Sequence, residues 1–276
     1  MVVPAFAALG GHHAAHGPPP GRAARRLMAR TALVTGASSG IGAAAARKLA
    51  RSGVHVLLHG RNEDRLAAVA KETGGTALTA DLAHLGAAAE LAERALAITG
   101  SVDLLVNNAG LGWAGPLPDL TEKRLRHLVA VNLTAPLELT RALLPAMLER
   151  DRGQIVFVSS IAGRTGVGGE AVYAAAKSGV DAFADSLRFE LHGTGVTVGI
   201  VVPGVVRTEF FERRGRPYTR GTPRPVSAER VAAAVVRAAA HPGDYYVPRW
   251  LRFPVALRGT APGLYRALAA RFGAES

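Results

Sequence analysis

The chain has 276 residues, 49% of them hydrophobic and 20% charged, enough to bury a substantial core as one large domain or two small ones. It has no cysteine, which excludes a disulfide framework and thiolate chemistry, and no stretch approaches the ~20 consecutive apolar residues that a membrane-spanning helix needs. The formal net charge of +12 sits at the ends: residues 1–30 carry +4, residues 31–206 balance, and residues 207–276 carry +8, which argues for charged appendages and against a nucleic-acid groove through the fold.

In chain order, residues 1–27 are rich in Gly, Pro, His and Ala without an amphipathic period, and are expected to be a disordered leader. Its arginines follow the short apolar stretch, the reverse of a secretory signal, and Met28 is a second candidate start of translation. His12, His13 and His16 read as part of a solvated tail. Short β-branched and leucine-rich runs at 31–35, 54–58, 76–80, 102–106, 154–158 and 196–202 then predict buried strands. Between them, 41–52, 62–73, 84–98, 121–150 and 171–192 predict helices, with Thr121 and Glu122 as a helix start. This strict alternation predicts an α/β fold, a doubly wound parallel sheet with helices on both faces, as one domain over 28–248.

The segment TGASSGIG at 35–42 places Gly36, Gly40 and Gly42 between the first strand and an alanine-rich helix, where backbone amides and a helix N-terminus can meet a pyrophosphate. A tight strand-to-helix connection makes the same pattern, so the turn by itself decides nothing. The second strand ends in HVLLHGRN. Folds that bind NAD carry an acid there for the ribose 2′-hydroxyl, whereas this chain has Gly60 and then Arg61, a cation suited to the 2′-phosphate of NADP. NADP(H) is therefore expected over NAD(H), with Arg61 and Ser38 as phosphate ligands. Tyr173 and Lys177, four residues apart and thirteen beyond Ser160, project from one face of one helix. A cation beside a phenol favours the phenolate, drawing a pKa near ~10 toward neutrality, where the group can exchange a proton with a substrate.

With the glycine turn, the Ser160, Tyr173 and Lys177 spacing and NNAG at 107–110 in this order, residues 30–248 resemble the short-chain dehydrogenase/reductase family. The resemblance implies a single Rossmann-type domain and hydride transfer between a nicotinamide and a carbonyl or alcohol substrate. It implies Tyr173 as acid/base, Lys177 as the residue that depresses its pKa and bonds the nicotinamide ribose, and Ser160 as the group that orients the substrate oxygen. Asn132 would hold a water-linked relay to the lysine. The implied cofactor contacts are Gly36, Ser38, Ser39, Gly40, Ile41, Arg61, Asp81, Leu82, Asn108, Ala109, Gly110, Tyr173, Lys177, Pro203, Gly204, Val206 and Thr208, with Asp81 near the adenine and Thr208 on the loop over the nicotinamide. No metal is expected. A homodimer or homotetramer assembled through the two long helices is implied, the absence of cysteine suits a reducing cytoplasm, and the alternative is a catalytically silent dinucleotide sensor of the same fold.

Two segments escape this pattern. Residues 207–226 occupy the place of a substrate lid, and the five arginines after Arg207 read as a solvated, mobile loop. Residues 249–276 form a basic tail mixing Trp250, Phe253, Leu257, Leu264, Leu268 and Phe272 with arginines, broken into short pieces by Pro254 and Pro262. It fits a peripheral contact with an anionic membrane, a cover over the substrate cleft, or a subunit contact.

Overall fold

The computed structural model describes residues 29–219 and 223–273, so the expected leader lies outside the described residues. The strands are β1 (Thr31–Val34), β2 (His55–Gly60), β3 (Thr76–Thr79), β4 (Leu104–Asn107), β5 (Gly153–Val158), β6 (Val196–Pro203) and β7 (Asp244–Val247). They form one seven-stranded sheet in the order β3-β2-β1-β4-β5-β6-β7, and every pairing is parallel. The chain leaves β1 toward one edge and returns to β4 beside it, so the order reverses between these two strands and opens a crevice at their carboxyl ends.

Strand alternation sorts the core into two layers. β1 sends Ala32 and Val34 to one face and Leu33 to the other, and β5 does the same with Val156 and Val158 against Ile155 and Phe157. The first face is covered by α1 (Gly40–Arg51), α2 (Glu63–Thr73) and α9 (Ala228–Ala240). The second is covered by α3 (Ala87–Thr99), α5 (Ala135–Glu149) and α7 (Ala171–Glu190). Helix starts follow capping chemistry: the side chains of Asn62, Thr121 and Ser227 each accept the backbone N–H three residues on.

Several expectations need correction. The helix expected over 121–150 consists of α4 (Glu122–Val129), a π-helical turn at Ala130–Thr134 and α5. Asn132 sits in that turn, donating to the Leu128 carbonyl at 2.9 Å and to Leu111 O at 2.8 Å, so a polar side chain bonded outside the helix marks the local rewinding. Helix α3 begins at Ala87 instead of 84, because Gly86 takes a left-handed φ of 83°. The alanine-rich α9 and the four-residue β7 were absent from the expected elements. β7 is too short and too exposed at its start to show a periodic pattern.

The tail also differs from expectation. Besides the short α6 (Ile161–Thr165) and α8 (Phe210–Arg213), the chain forms α10 (Arg252–Thr260) and α11 (Pro262–Gly273). Pro254 lies in the first turn of α10 and Pro262 opens α11, positions where the missing N–H has no intrahelical partner to lose. The interruption is at Ala261, outside helical φ/ψ.

Candidate functional site

A cleft of about 1220 Å³ runs along the carboxyl ends of the central strands, lined from Gly36 through Asn108, Ser160 and Tyr173 to Thr208. Its floor is the glycine turn. Gly36 and Gly40 have φ of 66° and 55°, and a Cβ on Gly42 would stand 2.2 Å from the Gly36 carbonyl oxygen and 2.6 Å from Asn108 Nδ2. A side chain is sterically impossible there, and the first amides of α1 are left facing the cleft. Thr35 ties the turn to β4: its hydroxyl accepts the backbone N–H groups of Asn108 and Ala109, both at 2.9 Å. Asn108 in turn donates from Nδ2 to Thr35 O at 2.8 Å.

His59 braces the turn from below, a role that sequence reasoning missed. Buried in β2, it accepts the Gly36 N–H on Nδ1 at 3.4 Å and donates from Nε2 to Ala80 O at 3.1 Å. Burial pulls its pKa down to about 4, so the ring is neutral and one tautomer serves both bonds. A polar residue inside an otherwise apolar strand was the available signal.

At the outer end, Ser38 lies so close that a Cβ on Gly60 would meet Ser38 Cβ at 3.1 Å, leaving little room for an acidic side chain at 60. Arg61 is half exposed and stands 3.7 Å from Asp81, while Leu82 is buried on the same wall. Thr208 leans on the turn from the other side, its Cγ2 3.0 Å from where a Gly40 Cβ would be. Ser39, Ile41, Gly110, Pro203, Gly204 and Val206 also line the cleft.

The inner end gathers Ser160, Tyr173 and Lys177. Ser160 caps α6, its hydroxyl accepting the Ala162 N–H at 3.2 Å, and the same hydroxyl acts on the Tyr173 phenol to favour the ionised form. Gly163 lets α6 press directly on α7, since a Cβ there would fall 2.8 Å from the Lys177 carbonyl carbon. Lys177 donates from Nζ to Val158 O at 2.9 Å and lies 5.9 Å from the Tyr173 ring centroid. Asn132 also accepts the Leu111 N–H at 3.1 Å. Gly110 lies between Asn132 and Lys177, with its missing Cβ 3.1 Å from Asn132 Oδ1 and 3.8 Å from Lys177 Nζ.

The electrostatics of this end run against the sequence expectation. Burial pushes the Tyr173 phenol well above its ordinary value, outweighing the opposing influence of Ser160, and it pulls Lys177 down to about 8. Burial thus favours the protonated phenol. Desolvating a phenolate costs more than the neighbouring groups that favour it, Ser160 and Arg214, return.

The lid region is also less solvated than expected. Arg214 is buried, pairs with buried Glu170 at the start of α7, and stacks over Phe211 at 4.5 Å. Phe210 packs on Tyr173 with ring centroids 5.5 Å apart. Glu209 pairs with both Arg65 and Arg213, linking α2 to α8. The tail helices are docked on α6: Arg258 donates to Arg164 O, Tyr265 donates to Thr165 O at 3.2 Å, and Ala269 lines the cleft.

The family described as short chain dehydrogenase matches residues 30–218. The ketoacyl reductase HetN of a Nostoc species is 37% identical over 220 residues, covering 77% of this chain and 76% of that protein. Among solved structures, a metagenomic short-chain oxidoreductase in complex with NADP is 39% identical, with a TM-score of 0.66 over 77% of this chain and 91% of the other. A short-chain dehydrogenase from Sphingobium yanoikuyae in complex with NADPH is 31% identical, with a TM-score of 0.74 over 85% and 94%.

The His59 brace makes a testable statement. His59→Leu leaves the Gly36 N–H and the Ala80 carbonyl unpaired, and is expected to cost roughly 1–3 kcal/mol for each orphaned group in denaturant unfolding. Because the folded pKa is depressed, the unfolded chain takes up a proton that the folded chain refuses. Its contribution is therefore complete above about 6.5 and is lost as pH falls toward about 4, a slope that the leucine variant lacks.

Proposed function

Because this chain belongs to the short-chain dehydrogenase family, we propose that it is an NADP(H)-dependent oxidoreductase interconverting a carbonyl and an alcohol, with Tyr173 as the proton-transferring group. The observation that carries the reading is convergence: Ser160, Tyr173 and Lys177 line the same cleft as the glycine turn. That turn suits a dinucleotide, since the missing side chain at Gly42 lets the start of α1 close against the Gly36 carbonyl and brings the helix N-terminus to the cleft, where a pyrophosphate can meet backbone amides. Gly36, Ser39, Gly40, Ile41 and Thr208 would hold the pyrophosphate and nicotinamide end, with Asn108, Ala109, Gly110, Pro203, Gly204 and Val206 bordering it. Asp81 and Leu82 would flank the adenine, and Ser38 with Arg61 would take the 2′-phosphate. The NADP and NADPH complexes of the similar structures support that choice. Bound there, the cofactor supplies the hydride.

The protein's own part is positioning and one proton. Ser160 and Tyr173 offer two donors to a carbonyl oxygen as it gains charge. The resting tyrosine is the protonated form that donation requires. Lys177, behind the ring, stabilises the phenolate left after transfer. Asn132 has both amide protons committed, so its contribution to a relay is to pin Leu111 beside Gly110, whose missing side chain leaves the gap where a water can reach Lys177. Exposed Leu125, Leu148 and Phe189 on α4, α5 and α7 support a homo-oligomer through these helices. Among the described residues no helix is long and apolar enough to cross a membrane. A cytoplasmic enzyme fits, and exposed Trp250 and Phe253 beside Arg249 and Arg252 support a peripheral contact with anionic lipid.

Tyr173→Phe is expected to lower turnover by roughly 10²–10⁴ with cofactor affinity nearly unchanged, read from steady-state rates on a panel of aldehydes, ketones and alcohols and from a cofactor titration. Near-normal turnover in this variant would remove Tyr173 from the mechanism. NADPH is expected to outperform NADH, and Arg61→Ala to weaken NADPH binding about ten- to a hundredfold while sparing NADH. Equal efficiencies with the two cofactors in the unaltered protein would overturn the 2′-phosphate assignment. For the tail, sedimentation with anionic but not neutral vesicles is expected, weakening with salt and lost on truncation at residue 248; failure to bind at low salt leaves α10 and α11 as a cleft wall alone.

A further inference from the structure

Lys177 is buried, and its hydrogen-bond partner, the Val158 carbonyl, is a dipole and not a charge. The carboxylate that acts on it is Asp181, one helical turn further along α7, where i,i+4 spacing sets Cβ atoms about 5–6 Å apart. Asp181 is itself buried. Its Oδ2 stands 2.7 Å from Nε of Arg164 on α6, and Arg164 reaches Asp244 on β7 at 3.0 Å. Arg188 then contacts Asp244 and Asp185, each at 2.8 Å. From Lys177 to Asp185, cations and carboxylates alternate across three elements.

The other groups facing this ladder are few. Tyr173 lies up the same helix, with Glu170 and Arg214 beyond it, and feels Asp181 only as a minor unfavourable influence. Tyr246 of β7 lies near Arg164, the Ser159 hydroxyl lies against Asp181, and Arg258 of α10 bonds the Arg164 carbonyl. A buried ladder of this kind is a poor stabiliser, because desolvating its members cancels much of their attraction. Neither oxygen of Asp181 accepts a well-aligned hydrogen bond among the described residues, so what holds the carboxylate is charge. What such an arrangement supplies is a protonation state.

We propose that Asp181 is a positioning residue that, held ionised by Arg164, keeps the buried Lys177 ammonium charged. The consequence for turnover rests on the enzymatic reading above, whereas the charge state of Lys177 does not. Burial pulls Lys177 down to about 8 even with Asp181 present, and pushes Asp181 up to about 6 despite Arg164. Asp181 is the carboxylate that opposes this effect of burial on the lysine, so the charge of Lys177 near neutral pH depends on it.

The chain has only four lysines, Lys48, Lys71, Lys123 and Lys177, so an NMR titration with 13Cε-labelled lysine resolves each of them in the full-length protein without cofactor or substrate. Loss of a signal in Lys177→Met assigns it. Asp181→Asn is expected to lower the Lys177 midpoint by about one pH unit or more, the usual effect of losing an opposite charge at this range, while Asp181→Glu keeps it. An unchanged or raised midpoint in Asp181→Asn overturns the proposal. Should that variant fail to fold, the unaltered protein decides: the Lys177 signal is expected to inflect between pH 5 and 7 as Asp181 takes up its proton, and a flat response there overturns the proposal equally. In carbonyl reduction, Asp181→Asn should move the alkaline fall of the rate to lower pH, where a merely structural lesion would scale the profile without moving it. A shifted NMR midpoint with no turnover on any carbonyl would sink the enzymatic reading and leave the electrostatic one standing.

Discussion

Lys177 donates to the carbonyl of Val158, the last residue of β5, and that bond holds a cation where burial penalises it. The rest of the inner site is arranged around this. α7 must lie against the end of β5 to bring Lys177 there, and it does so because Gly163 lets α6 touch the backbone of α7. The same packing leaves Ser160 at the start of α6 facing Tyr173 one turn before the lysine. A side chain at 163 would push α6 off α7 and separate all three groups together.

At the other end the constraint is steric. Gly42 and Gly36 bring α1 and β1 into contact with the amide of Asn108, so the turn and the end of β4 behave as one unit, tied again by Thr35. The sheet reverses between these two strands, and a cleft bordered by both therefore opens on the side where the N-terminus of α1 lines it with Gly40 and Ile41. His59 adds a neutral polar brace beneath the turn, a place where burial disfavours a charged imidazole.

The outer wall of the cleft is more adaptable. Arg214, Glu170 and the phenyl rings of Phe210 and Phe211 form a compact plug over Tyr173, while Glu209 holds Arg65 and Arg213 at the surface. The buried pair resists exchange because opening it would strand a charge in an apolar setting, whereas the exposed triad is screened and weak.

Periodicity in the sequence determined the alternation of strands and helices, and local spacing determined that Tyr173 and Lys177 share a face, because both depend on geometry within a few residues. The glycines at 36, 40 and 42 were legible for the same reason: a positive φ or a missing side chain leaves its mark at a single position. The π-helical turn at Asn132 and the pairing of Arg214 with Glu170 were not, since each depends on a partner over twenty positions away. The protonation state of the site was the clearest case. Spacing alone put a cation beside a phenol and pointed to a lowered pKa; only the tertiary structure, by removing water from both groups and setting Asp181 and Arg164 behind the lysine, decided that burial outweighs proximity in the resting protein.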